Sequence, residues 1–168
     1  IISVADAMTE QALRAGIGQP DQYITILSGM EVEPFLNSGQ ERETTRERLG
    51  LRSEEVVVMK VARLFELKGH DDVIDAARLR QGNGPPIRFV FVGGGVWRER
   101  LENRVRELGM EEQFLFTGLV PSSEIPRLLG ASDLVVHASL REGLARVLPQ
   151  ALIAAKPGSV VTFPEGRF

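Results

Sequence analysis

The stretch S-L-R-E-G-L-A-R-V-L-P-Q-A-L, Ser139 to Leu152, decides how the chain is read. The apolar run Leu134, Val135 and Val136 before it has the character of a buried strand, and Ala151 to Ala155 at its far end reads as a short helix. Proline is tolerated in a helix only in the first turn, so Pro149 places the helix start near Val147 to Pro149. Glu142 to Arg146 is then a strand-to-helix loop whose backbone N–H groups are free to face a ligand. The carboxyl ends of strands in an open α/β sheet face the ligand crevice, which puts the acid Glu142 where chemistry is expected.

Outward from this stretch, apolar strands alternate with amphipathic helices. Val56 to Val61, Ile87 to Val92, Phe114 to Phe116, Leu134 to His137 and Val160 to Phe163 read as strands. Between them, Asp71 to Leu79 carries Val73, Ile74 and Ala77 on one helical face, and a second helix carries Leu101, Val105 and Leu108. Ser123 to Leu129 reads as a short third one. Such alternation makes parallel strands with right-handed crossovers, hence an α/β fold with one doubly wound parallel sheet. Nearer the start, a short helix is expected within Val4 to Ala15, a brief strand at Tyr23 to Leu27 and an extended segment from Ser28 to Phe35. Gln40 to Leu49, with balanced charge and Glu43 and Arg46 spaced to pair, is expected as a solvated helix.

Composition narrows the function. The chain has 168 residues, 43% hydrophobic and 26% charged, ordinary for one globular domain. A formal net charge of -3 supplies no basic field for nucleic acid. The absence of cysteine excludes disulfides and thiolate chemistry and agrees with a cytoplasmic location. No apolar run approaches the roughly 20 residues of a membrane helix. His70 and His137 show no metal-ligand spacing and read as structural, and the adjacent Asp71 and Asp72 read as helix-capping acids. Trp97 reads as a packing residue on its helix.

Several motifs carry a resemblance. S-L-R-E-G-L-A-R-V-L-P-Q resembles the E-x7-E region of retaining glycosyltransferases of the GT-B fold, in the glycogen-synthase-like family of group 1 glycosyl transferases. Gln150 stands where that pattern has its second Glu. V-A-R-L-F-E-L-K-G, Val61 to Gly69, resembles the family's G-R-L-x-x-x-K-G; Gly93-Gly94-Gly95 resembles its V-G-x-G; Phe116 to Val120 resembles its F-x-G-x-V. The resemblance runs from about Ile24 to Pro157, and S-V-V-T-F-P-E-G-R-F at the end finds no counterpart.

The resemblance implies a nucleotide-sugar-binding, Rossmann-like domain over residues 53–168. It makes residues 29–52 an interdomain linker with a charged helix, and residues 1–28 the tail of a missing N-terminal, acceptor-binding domain. Both ends then read as cut from something larger, and the chain alone is expected to bind but not transfer. The diphosphate of the donor falls to Arg63 and Lys68, the donor sugar to Glu142 with backbone groups of Gly143, Leu144 and Ala145, and the ribose to Gln150. Gly93 and Gly95 form a wall of the donor site, and Gly118 and Leu119 meet the nucleobase. The donor is a substrate, and neither a cofactor nor a metal is expected. Two other readings stay open: a non-catalytic sugar-nucleotide-binding or scaffold module, favoured by Gln150, and another GT-B enzyme such as an epimerase or phosphorylase.

Overall fold

The computed structural model describes residues 1–80, 84–140, 142 and 145–154, with the backbone of 160–162. The candidates Gly143 and Leu144 lie outside the described residues. In chain order the strands are β1 (Ile2–Ser3), β2 (Ile24–Thr25), β3 (Val56–Val61), β4 (Ile87–Val92), β5 (Phe114–Gly118), β6 (Leu134–His137) and β7 (Val160–Thr162). The helices are α1 (Asp6–Arg14), α2 (Glu33–Leu36), α3 (Arg42–Arg48), α4 (His70–Leu79), α5 (Arg98–Glu107), α6 (Ile125–Ala131) and α7 (Val147–Ile153).

Strands β3 to β7 form one parallel sheet in the order β5-β4-β3-β6-β7. The order follows from patterning. β3 is V-V-V-M-K-V, nearly all apolar, as a strand covered on both faces must be. Side chains alternate along it, so Val58 joins Val73, Ile74 and Leu101 of α4 and α5, with Phe91 of β4, on one face. Val57 and Met59 join Phe35, Leu128 and Val147 of α2, α6 and α7 on the other.

The chain leaves β3 in one direction through β4 to β5, then returns across it to β6 on its opposite side. This reversal sets the loops after β3 and β6 next to each other at the carboxyl edge, where doubly wound sheets bind ligands.

Near the start, the structure departs from the sequence reading. The expected strand over Tyr23 to Leu27 is only β2, which pairs in parallel with β1, a strand that the pattern did not indicate. The segment expected to be extended ends in α2, with Pro34 in its first turn.

Helix α3 corrects a larger expectation, because it is a clamp rather than a solvated helix. Arg46 is 3% exposed, and it pairs with Asp133 (3.2 Å) in place of Glu43. Its guanidinium also donates to the carbonyls of Ala131 (3.2 Å), Arg52 (2.8 Å) and Glu55 (2.7 Å). Arg42 donates to the carbonyls of Gly130 and Ser132, at 3.0 and 2.7 Å, and to the Asp133 carboxylate. Both arginines thereby satisfy carbonyls left open at the end of α6. Asp133 completes the network by accepting from the Val57 amide at 2.8 Å.

Asp71 and Asp72 fall in the first turn of α4, where its dipole favours acids, but Asp71 does more than that. No side chain caps α4, and the Asp71 carboxylate instead accepts from Arg100 and Arg104 of α5. Trp97 stands at the start of α5, with Arg100 over its ring at 4.3 Å.

Arg46→Ala would leave the buried carbonyls of Ala131, Arg52 and Glu55 without their donor and take one of two arginines from Asp133, and is expected to cost about 3–5 kcal/mol in urea unfolding. Burial alone would raise the Asp133 carboxyl, but the Val57 amide and Arg42 hold it below its ordinary value. Its stabilising contribution is therefore present above the ordinary aspartate range and lost as pH falls through the folded value. Asp133→Asn should flatten that acid limb.

Candidate functional site

The loop after β3 turns sharply at Gly69, whose φ of 63° leads into α4. A Cβ there would lie 2.0 Å from the carbonyl oxygen of Ala138, at the end of β6, so only glycine lets the two loops approach this closely. The Leu140 amide donates to the Leu67 carbonyl at 2.9 Å and fixes that approach.

The same loop is joined to the one after β4. Leu64 donates to Gly94 at 2.9 Å, and Trp97 to Leu64 at 3.1 Å. A Cβ on Gly93 or Gly95 would meet the carbonyl oxygen of Ala62 or Leu64 at 2.2 Å. The glycines of the G-x-G pattern therefore hold backbone against backbone and set the position of the Arg63 loop. Gly93 donates in turn to the Gly118 carbonyl at 3.0 Å, which ties in the loop after β5.

On this frame Lys68 and Glu142 meet. Lys68 Nζ donates to Glu142 Oε1 at 2.7 Å, with both side chains about a quarter exposed (22% and 26%). Burial raises the Glu142 carboxyl, but the hydrogen bond and the charge of Lys68 bring it below its ordinary value, so it is ionised at neutral pH. Arg63, in the same loop as Lys68, is exposed, its guanidinium 5.7 Å from the Phe65 ring centre.

Two residues that the sequence reading set aside belong to the same neighbourhood. His137 Nε2 is 3.8 Å from Glu142 Oε1, too long for a hydrogen bond but a carboxylate partner that spacing did not reveal. Burial, together with Lys60 and Lys68, outweighs Glu142 and lowers the His137 ring below its ordinary value. His70 is buried with Nε2 3.0 Å from the Arg63 carbonyl, and burial pushes it down to about 4. Neutral at physiological pH, it holds its proton on Nε2 and donates to that carbonyl, anchoring the arginine's backbone.

Lys60 was missed altogether. It is 1% exposed on β3, and among the described residues its ammonium has no hydrogen-bond partner. The available signal was a lysine inside an otherwise apolar central strand, where lysine is almost never buried unpaired.

Among the described residues, no hydrogen bond joins the remaining candidates to the ion pair. Gln150 of α7 lines a cavity of about 600 Å³ with Arg146, Ser122, Ser123, Met30 and Glu31; neither Lys68 nor Glu142 is among its lining residues. Ala145 accepts from Leu148 in the first turn of α7. Leu119 is 87% exposed next to Gly94. Another cavity, about 400 Å³, opens at the amino ends of β3 and β4 beside Glu55, Arg80 and Pro86, at the edge of the sheet opposite all of these residues. No helix among the described residues is long and apolar enough to cross a membrane.

An ionised carboxylate and two cations at a switch point suit a ligand that is anionic at one end and rich in hydroxyls at the other. Residues 41–166 match the family model of glycosyl transferases group 1. The 2-deoxystreptamine glucosyltransferase of Streptomyces kanamyceticus is 28% identical over 158 residues, 93% of this chain and 41% of its own. The mannosylfructose-phosphate synthase of Agrobacterium fabrum is 31% identical over 142 residues, 80% of this chain and 31% of its own. The crystal structure of Anabaena HepE in complex with UDP and glucose superposes with a TM-score of 0.84 at 28% identity, covering 98% of this chain and 44% of that one. The chain thus spans less than half the length of these relatives. The family match continues past Pro157, where the motif resemblance stopped, and so corrects that boundary. With the match covering most of its residues and the sheet that of a GT-B Rossmann-like domain, the chain belongs to the glycosyl transferases group 1 family.

Proposed function

We propose that this chain is the donor-binding half of a retaining GT-B glycosyltransferase, acting with a separate acceptor-binding domain. The observation that carries this reading is the meeting of Lys68 and Glu142 at the sheet's switch point, with Arg63 exposed in the same loop as Lys68. As the bond to the donor sugar breaks, negative charge grows on the departing nucleoside diphosphate, and preorganised cations stabilise it. Arg63 suits a fork of phosphate oxygens and Lys68 a point charge. Glu142 accepts hydrogen bonds from sugar hydroxyls, helped by backbone groups of Gly143, Leu144 and Ala145. Gln150 takes the ribose, Gly118 and Leu119 the base edge, and Gly93 and Gly95 the wall between. The donor phosphate itself deprotonates the acceptor, which leaves no side-chain base to find. Uridine diphosphate is the first nucleotide to test, because HepE was crystallised with it.

A second reading, a binding module without transfer activity, is favoured by Gln150, whose amide offers one acceptor oxygen where a carboxylate offers two. Assay of this chain joined to its acceptor-binding domain separates the two readings: sugar transfer supports the enzyme, and donor binding without transfer supports the module.

Charge-assisted hydrogen bonds contribute about 1.5–3 kcal/mol each, so UDP should bind this chain more than tenfold tighter than uridine in calorimetry, and Arg63→Ala should remove most of that difference. Equal affinities for UDP and uridine would contradict the diphosphate role. Glu142→Ala should act differently. It removes the anion that holds Lys68 in the free protein, so UDP affinity is expected to stay level or rise, while any extra affinity from the sugar of UDP-glucose disappears. A parallel loss of UDP affinity would make Glu142 structural.

A further inference from the structure

Lys60 is a group that the mechanism above does not use. Its amine is buried on β3, and among the described residues nothing accepts its hydrogen bonds. The groups that act on it come from the surrounding elements: Asp72 and His70 of α4, Lys68 of the loop after β3, His137 of β6, and Glu142 beyond β6. A lysine unsatisfied in this way costs stability, so the strand holds it at some expense. It also cannot reach a ligand directly, being 1% exposed.

Lys68 has two claims on it. In the structure it is bonded to Glu142 at 2.7 Å, and the proposed function has it bind the diphosphate. Once it turns to the phosphates, Glu142 is left partly buried without its partner, a costly state for a carboxylate that must stay ionised and aimed. His137 is held neutral by its burial. Lys60 is the cation that remains.

We propose that Lys60 is a positioning residue of the donor site: buried near the carboxyl end of β3, at the sheet edge where the loops that carry Lys68 and Glu142 meet, it becomes the counter-ion of Glu142 when the donor diphosphate draws Lys68 away. The inference rests on Lys68 being a diphosphate ligand. It makes the site a relay of charges in which each anion keeps a cation through the exchange.

The relay has a protonation signature. In the free protein burial pushes Lys60 down to about 8, against the attraction of Asp72 and Glu142 and with the repulsion of Lys68. At pH 8.5 the amine is therefore largely neutral, and His70 and His137 are neutral too. Binding that turns Glu142 toward Lys60 and offsets the Lys68 charge must raise its affinity for a proton.

The test is calorimetry of UDP binding at pH 8.5 in buffers of contrasting protonation enthalpy. Wild type should take up on the order of half a proton per UDP. Lys60→Met, which fills the same space without charge, should take up none while melting no lower than wild type. Glu142→Gln, which keeps the shape but removes the charge, should lose at least half of the uptake; this arm decides the matter if Lys60→Met does not fold. UDP binding without proton uptake in wild type overturns the relay and leaves the donor-site reading standing. Uptake that survives in Lys60→Met, or is undiminished in Glu142→Gln, also overturns it. Absence of binding by UDP, GDP and ADP alike overturns the diphosphate reading, and the relay with it.

Discussion

Strand β3 is paired with β4 on one edge and with β6 on the other, all parallel, and this placement constrains the rest of the molecule. Because the chain reverses direction across β3, loops far apart in sequence must leave the sheet side by side. Lys68 and Glu142, 74 positions apart, meet for that reason. The glycines then determine how close the loops come: Gly69 against Ala138, Gly93 against Ala62 and Gly95 against Leu64 leave no room for a side chain. A rigid sheet edge with its loops bonded to one another holds charged groups in place before any ligand arrives, and preorganisation of this kind is what electrostatic catalysis requires.

The two ends of the β3–β6 pair carry charged assemblies that differ in one respect. At the amino end, Arg42, Arg46 and Asp133 are matched with carbonyls and with the Val57 amide, a network with its hydrogen bonds made. At the carboxyl end, Lys60 Nζ and His70 Nδ1 are buried without partners among the described residues, and Arg63 faces solvent. A satisfied network rigidifies the fold, whereas an unsatisfied one is stable only because the surrounding core tolerates it. The contrast assigns the first assembly to holding α3 and α6 on the sheet. It leaves the second as the place where charges are still free to change partners, with Arg63 open to solvent and Lys60 enclosed.

Much of this was legible in the sequence. β3, β4 and β6 match the apolar runs residue for residue, and Val73, Ile74 and Ala77 mark the buried face of α4, because both patterns repeat within a few residues. Glu142 was legible as a candidate from its place after a strand, and Lys68 from the resemblance of its loop to G-R-L-x-x-x-K-G. What escaped was set by distant partners. Arg46 reads as a surface cation until Asp133, 87 positions away, is brought beneath it. Asp71 reads as a cap until α5 presents its arginines. β1 and β2 are two residues each, too short for any period to show. Lys60 did break its strand's pattern, yet its meaning depends on Asp72, Lys68 and Glu142 converging on it from three separate segments.

The most direct measurement is a crystal structure of this chain with UDP-glucose. The account predicts the diphosphate within salt-bridge distance of Arg63 and Lys68, the Lys68–Glu142 bond of 2.7 Å opened, and the Glu142 carboxylate on the glucose hydroxyls. A diphosphate bound elsewhere, with the Lys68–Glu142 bond intact, would contradict it.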